Sequence, residues 1–228
     1  MGTQLSDLHH QIIRGLVETG VCPSNAELCQ LLGIEEPVLH ELLHRLEDEH
    51  GIVLHPGDPR PWVIHPFSLT PTATCVESAN HTWWAPCLWC GFGVATLASG
   101  EARIHTRIGG ESEAVVIRVN DGYPVDGSNY CTHFAIPPRD AWNNVHAHCA
   151  MLLPFHSPPD AAAWAARHRL PLGEVISLNQ TADLARRWYG GHADPDWRKW
   201  TMQEAQAIFH AVGLRSDFWR LEGGAGRF

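Results

Sequence analysis

For about fifty residues the leucines and isoleucines of this chain recur at helical spacing, and then the rhythm changes to that of strands. Leu5, Leu8, Ile12, Ile13, Leu16 and Val17 fall on one face of a first helix. Ser24 and Glu27 form a capping box that opens a second helix through Leu28, Leu31 and Leu32, and Gly33 stops it. A third helix begins at Ile34 and carries Val38, Leu39, Leu42, Leu43 and Leu46 on one face. Ile52–Leu54 and Trp62–Ile64 then flank the turn-rich run Pro56-Gly-Asp-Pro-Arg-Pro61, as the two strands of a wing would. Three helices and a hairpin predict a winged-helix-like module over residues 1–80.

Such a module suggests DNA binding, and its charge argues against that. Residues 1–80 hold three basic side chains (Arg14, Arg45, Arg60) and eleven acidic ones, a net of 3 − 11 = −8. Affinity for nucleic acid comes largely from Lys and Arg neutralising phosphates. The helix that would enter a groove is flanked and lined by Glu35, Glu36, Glu41, Glu47, Asp48 and Glu49. The module is expected to pack rather than to read DNA.

From residue 81 to 228 the pattern is mixed α and β. Strand-like runs lie at Ala102–Ile108, Ala114–Val119, Tyr130–Ala135, Val145–Leu153 and Gly173–Leu178, with turns such as Gly109-Gly110 and Asn120-Asp-Gly122 between them. Asp160 is placed to cap a helix through Trp164 and His168. Thr201 and Glu204 form a second capping box, with Gly213 closing that helix. The run from Trp188 to Leu221 reads as a packing extension. The fold class expected is α+β: a helical module, then a mixed core with a largely antiparallel sheet.

No stretch of about 18 apolar residues occurs, which excludes a membrane-spanning helix, and the first ten residues lack the basic start and apolar core of a signal peptide. A cytoplasmic location is therefore expected. Seven cysteines, an odd number, then argue for reduced thiols rather than a disulfide framework. Cys22, Cys29, Cys75 and Cys131 read as structural residues, since a free cysteine packs like a small hydrophobe. Nearly all of the sixteen histidines lack ligand spacing and read as surface or hydrogen-bonded residues.

Three cysteines remain. Cys87 and Cys90 form a Cys-x-x-Cys pair after Pro86, which suits a first helical position. In the first turn of a helix both sulfurs share a face, and the helix N-terminus favours thiolate over thiol. Cys149 follows His146-Ala-His. On a strand it faces the core with Val145, Ala147, Met151 and Leu153, while His146 and His148 point away. Trp83, Trp84 and Trp89 are placed to wall the thiols from water. A four-ligand zinc site would show a second Cys-x-x-Cys or a paired histidine motif, and neither is present. A thioredoxin-like dithiol would need a βαβ lead-in, whose place the helical module takes.

The run Cys87-Leu-Trp-Cys-Gly-Phe-Gly-Val94 resembles the Cys-Ala-Leu-Asp-x-Leu-Gly-Ile-type motif of the alkylmercury (organomercurial) lyases. Cys149, followed by Pro154 and by Trp164-Ala-Ala-Arg-His168, resembles that family's second cysteine motif. The resemblance extends loosely to about residue 190. It implies a winged-helix-like region before an α/β core, mercury as substrate and no organic cofactor. It also implies two cysteines and an aspartate at the active site. Cys87 matches the first cysteine and Cys149 the second, while Cys90 stands where the family has aspartate. The expected catalytic and metal-binding set is thus Cys87, Cys90 and Cys149. The expected reaction is protonolysis of a carbon–mercury bond to a hydrocarbon and Hg(II), with small thiols assisting product release and no nucleic-acid or membrane partner. The replaced aspartate keeps two alternatives open: a non-catalytic tri-cysteine protein for a soft metal ion, or cleavage of another carbon–heteroatom bond on the same fold.

Overall fold

The computed structural model describes residues 2–49, 51–125 and 130–222. Three helices come first: α1 (Gly2–Thr19), α2 (Asn25–Leu32) and α3 (Glu36–Asp48). The Ser24–Glu27 capping box and the left-handed Gly33 bound α2 as the sequence predicts. The third helix starts at Glu36, two residues later than expected, because Glu35 is still extended and Pro37 fits the first turn. Leu8, Ile12, Ile13, Leu28, Leu39 and Leu43 are fully buried where these helices meet. Each such side chain contributes roughly 1.5–3 kcal/mol on leaving water.

The expected wing is the antiparallel pair β1 (Val53–His55) and β2 (Asp58–Ile64). It is also the edge of a larger sheet. After β3 (Phe67–Ser68), β4 (Thr74–Ser78), β5 (Thr82–Ala85), helix α4 (Leu88–Ala98), β6 (Glu101–Arg107), β7 (Ala114–Asn120) and β8 (Tyr123–Pro124), the strand order is β1-β2-β3-β5-β4-β6-β7-β8. Every pairing in it is antiparallel. In β6 and β7 burial alternates strictly, so Ala102, Ile104, Thr106, Val115, Ile117 and Val119 face the core and the intervening side chains face solvent. The indole N–H of Trp83 donates to the carbonyl of Leu16 (2.8 Å), which ties α1 to β5.

A second sheet has the order β10-β9-β11, with β9 (Cys131–Phe134), β10 (Leu153–Phe155) and β11 (Glu174–Ser177). Around it lie α5 (Val145–Ala150), α6 (Pro158–His168), α7 (Leu178–Tyr189) and α8 (Met202–Ala211). Helix α4 is buried from Leu88 to Ala95 because it runs between the large sheet and α7.

Three local expectations are corrected. Val145–Ala150 is a helix, not a strand. The Asn144 side chain accepts the backbone N–H of Ala147 (3.0 Å) and nucleates a turn, and the strand starts only at Leu153. Ser157, rather than Asp160, caps α6, and Asp160 instead supplies the N–H that the Ser157 hydroxyl accepts (3.3 Å). The run from Trp188 is more than a packing extension, since its residues wall the central cavity.

Candidate active site

Cys87 is the N-cap of α4 rather than a residue of its first turn. Its backbone is extended (φ −160°, ψ 178°), and its sulfur accepts the backbone N–H of Cys90 at 3.3 Å. This corrects the expected helix start by two residues and sharpens its consequence. The thiol itself takes the place usually held by a Ser or Asp oxygen, directly over the positive end of the helix.

The short helix α5 brings Cys149 to the same place: its sulfur lies within 4.8 Å of the Cys90 sulfur, and it lines one cleft with Cys87. The thiols are sequestered, with residue exposures of 3 % for Cys87, 1 % for Cys90 and 7 % for Cys149. Burial opposes ionisation of Cys87. Hydrogen bonds from the Cys149 and Cys90 thiols, the Cys90 N–H and the nearby His148 overcome it, holding Cys87 well below the ordinary thiol range. Burial and the Cys87 charge push Cys90 up. Hydrogen bonding to Cys87 and Cys90, together with burial, pushes Cys149 up. Ionisation is therefore favoured at Cys87 over Cys90 and Cys149.

Two neighbours were not legible in the sequence. The Tyr189 hydroxyl, at the end of α7, lies 3.4 Å from the Cys90 sulfur. Nε2 of His65, just past β2, lies 3.7 Å from the Cys149 sulfur, and the ligand atoms of His65, Cys90 and Cys149 all fall within 4.8 Å of one another. The Ser177–Gln180 capping box, with Leu178, Ala182, Ala185 and Trp188 at helical spacing behind it, is a sequence signal that could have revealed α7 and hence Tyr189. No periodicity marks His65. His148 is also buried beside the cluster, which corrects the expectation that it points away from Cys149.

A cavity of about 60 Å³ opens on Cys90, Cys149 and His65. Trp89, Trp142, Trp188 and Trp197 wall it, and Lys199 and His192 border it. Of the three tryptophans expected to do this, only Trp89 does. Trp83 packs against α1, and Trp84 is 40 % exposed on the far side of β5. A separate cleft of about 480 Å³ reaches Cys87 and Cys149 between the hydroxyl-bearing side chains of Ser68, Thr70, Thr72 and Thr74. The cysteines thus lie between an aromatic chamber and a second cleft of mixed lining.

An antiparallel α+β core that gathers Cys87, Cys90 and Cys149 beside the N-terminus of a buried helix presents a donor set suited to a soft metal ion. The alkylmercury lyase family model matches residues 67–190, and the chain belongs to that family. Its fold is also similar to that of the mercury-bound form of MerB2. That structure is 18 % identical, with a TM-score of 0.61, over 86 % of this chain and 98 % of the other. No curated protein sequence matches the chain. The family match spans Cys87, Cys90, Cys149 and Tyr189 but not His65, His192, Trp197 or Lys199.

Proposed function

We propose that the protein is an organomercurial lyase in which three cysteines, without a carboxylate, cleave the carbon–mercury bond. The observation that carries this reading is the convergence of the cysteines: the Cys87 sulfur caps α4 over the Cys90 N–H, Cys149 lines one cleft with Cys87, and the Cys90 and Cys149 sulfurs lie within 4.8 Å of each other. Cys87 acts as the capturing nucleophile: its thiolate displaces the counter-ion of R–Hg–X and forms R–Hg–S. Cys149 is the second ligand and proton donor. Its sulfur bonds to mercury, its proton passes to the carbon, and R–H leaves with Hg(II) held by two sulfurs. Cys90 is the third ligand where relatives carry aspartate, and the Tyr189 hydroxyl hydrogen-bonds its sulfur.

The aromatic chamber receives the organic group, whose apolar surface gains by leaving water. The hydroxyl-lined cleft admits a small thiol to Cys87 and Cys149, which takes over mercury by exchange of one thiolate for another. Mercury is substrate and product, and no organic cofactor enters the chemistry. The acidic helical module takes no part in nucleic-acid binding. The protein works in the cytoplasm.

Headspace gas chromatography of protein incubated with phenylmercury and excess small thiol tests this. Benzene is expected from the wild type and not from Cys87→Ser. Wild-type release no higher than that of the variant rejects the reading. The presence of Cys90 at the aspartate position favours one second reading, a trap that binds Hg(II) through three thiolates without turnover. One bound mercury per chain, lost on removing any of the three cysteines, and no benzene would be its signature.

A further inference from the structure

We propose that His65, Cys90 and Cys149 are the three protein donors of a zinc site that keeps its fourth position open. The proposal uses two of the sulfurs nearest His65 in a second way and does not depend on turnover of organomercurials.

Tetrahedral zinc with Zn–S bonds of about 2.3 Å and Zn–N of about 2.0 Å has ligand–ligand edges of roughly 3.5–3.8 Å. Nε2 of His65 and the Cys149 sulfur already stand 3.7 Å apart. Cys90 completes a triangle whose sides are all within 4.8 Å, so closure on an ion needs only a small contraction. A solvent molecule takes the fourth position, as in zinc sites with three protein ligands. His65 comes from the turn after β2, far in sequence from the cysteines, so no spacing motif announces the site.

Donor chemistry distinguishes this ion from mercury. Soft Hg(II) is satisfied by thiolates and gains little from an imidazole, whereas zinc is bound by sulfur and nitrogen together. Nδ1 of His65 is buried with no hydrogen-bond partner among the described residues, so the ring can keep its proton there and offer Nε2 to the ion. The ring stands edge-on to Trp142, with centroids 5.7 Å apart, which fixes its orientation. Zinc with two thiolates and one imidazole is electrically neutral.

The test uses the full-length reduced protein, freed of metal by chelation, titrated with Co²⁺ and then with competing Zn²⁺. One equivalent of cobalt is expected to give the intense visible bands of a tetrahedral thiolate site, and one equivalent of zinc to abolish them. His65→Ala is expected to bind zinc at least about tenfold more weakly, since even loss of an outer partner costs that much. Cys131→Ser, remote from the cluster, should bind as the wild type does. X-ray absorption of the wild-type zinc complex needs no variant, and a shell of two sulfurs and two nitrogen or oxygen donors is expected even if His65→Ala fails to fold. An all-sulfur shell, unchanged affinity in a folded His65→Ala, or no stoichiometric zinc would overturn the proposal. Benzene release is assayed separately on metal-free protein: release without zinc binding sinks this inference alone, and zinc binding without release sinks the lyase reading alone.

Discussion

Gly93→Ala sets two effects of known size against each other. Gly93 lies inside α4, and replacing an interior helical glycine by alanine ordinarily stabilises by about 0.5–1 kcal/mol. Here the added Cβ would collide with Cδ2 of Tyr189 and stand 2.8 Å from Cβ of Pro66 and 2.9 Å from Cγ of Tyr189. Overpacking of a dense core costs typically 1–3 kcal/mol. The collision wins, for a net loss of roughly 0.5–2 kcal/mol. Because Tyr189 is the group displaced, its hydroxyl moves off Cys90 and benzene release should fall with the stability. Gly91→Ala is the internal comparison. Its Cβ would meet Cγ2 of Thr74 at 3.0 Å and Cγ2 of Ile104 at 3.1 Å, contacts that a few tenths of an ångström relieve, so it should be near neutral. Urea unfolding monitored by tryptophan fluorescence, alongside the phenylmercury assay, measures both. A Gly93→Ala protein more stable than wild type and equally active would refute the claim that this glycine exists to admit Tyr189.

Acid should destabilise the fold through His148, which burial lowers from an ordinary value of 6.5 to about 4. The unfolded chain then takes up a proton first, so stability falls as pH drops from 6.5 towards 4, by about 2 kcal/mol at pH 5; urea midpoints of wild type and His148→Asn at pH 7 and 5 should differ accordingly. Cys90→Asp restores the carboxylate of the family motif and removes one sulfur, so a small thiol should strip Hg(II) at least about tenfold faster, a 1.4 kcal/mol change; stopped-flow absorbance during thiol challenge checks it. The helical module should not retard duplex DNA in a gel even at low salt, because phosphates meet a net charge of −8 over residues 1–80.

The sequence carried the helical module, the hairpin and the strands β6, β7, β9 and β11, because each is written in periodicity or in caps next to it. It carried the three cysteines because thiol chemistry is local to two motifs. It misassigned α5, where Val145, Ala147, Cys149, Met151 and Leu153 alternate like a strand, although Asn144 redirects the backbone into a turn. The aromatic chamber escaped for a different reason. Trp142, Trp188, Trp197 and His65 come from four separate segments and meet only through the tertiary fold. Nothing in the spacing of such residues encodes their convergence, whereas charge and capping are short-range and legible.

Three buried sulfurs close together do not all carry charge, and the backbone favours one of them. Cys87 has the advantage because α4 begins at it and presents the Cys90 N–H to its sulfur at 3.3 Å. Burial and the Cys87 charge both disfavour ionisation of Cys90 and Cys149. This fixes a proton count. Capture of R–Hg⁺ by a pre-formed thiolate releases no proton, and cleavage passes the Cys149 proton to carbon, so conversion to a two-sulfur product releases none to solvent. If Cys90 then becomes the third ligand, one proton appears, and it appears after the hydrocarbon. A pH-indicator dye in weakly buffered single-turnover reactions, followed against benzene formation, reads this order directly. A proton released at the capture step would mean that Cys87 rests as a thiol, and the division of labour among the three cysteines would have to be redrawn.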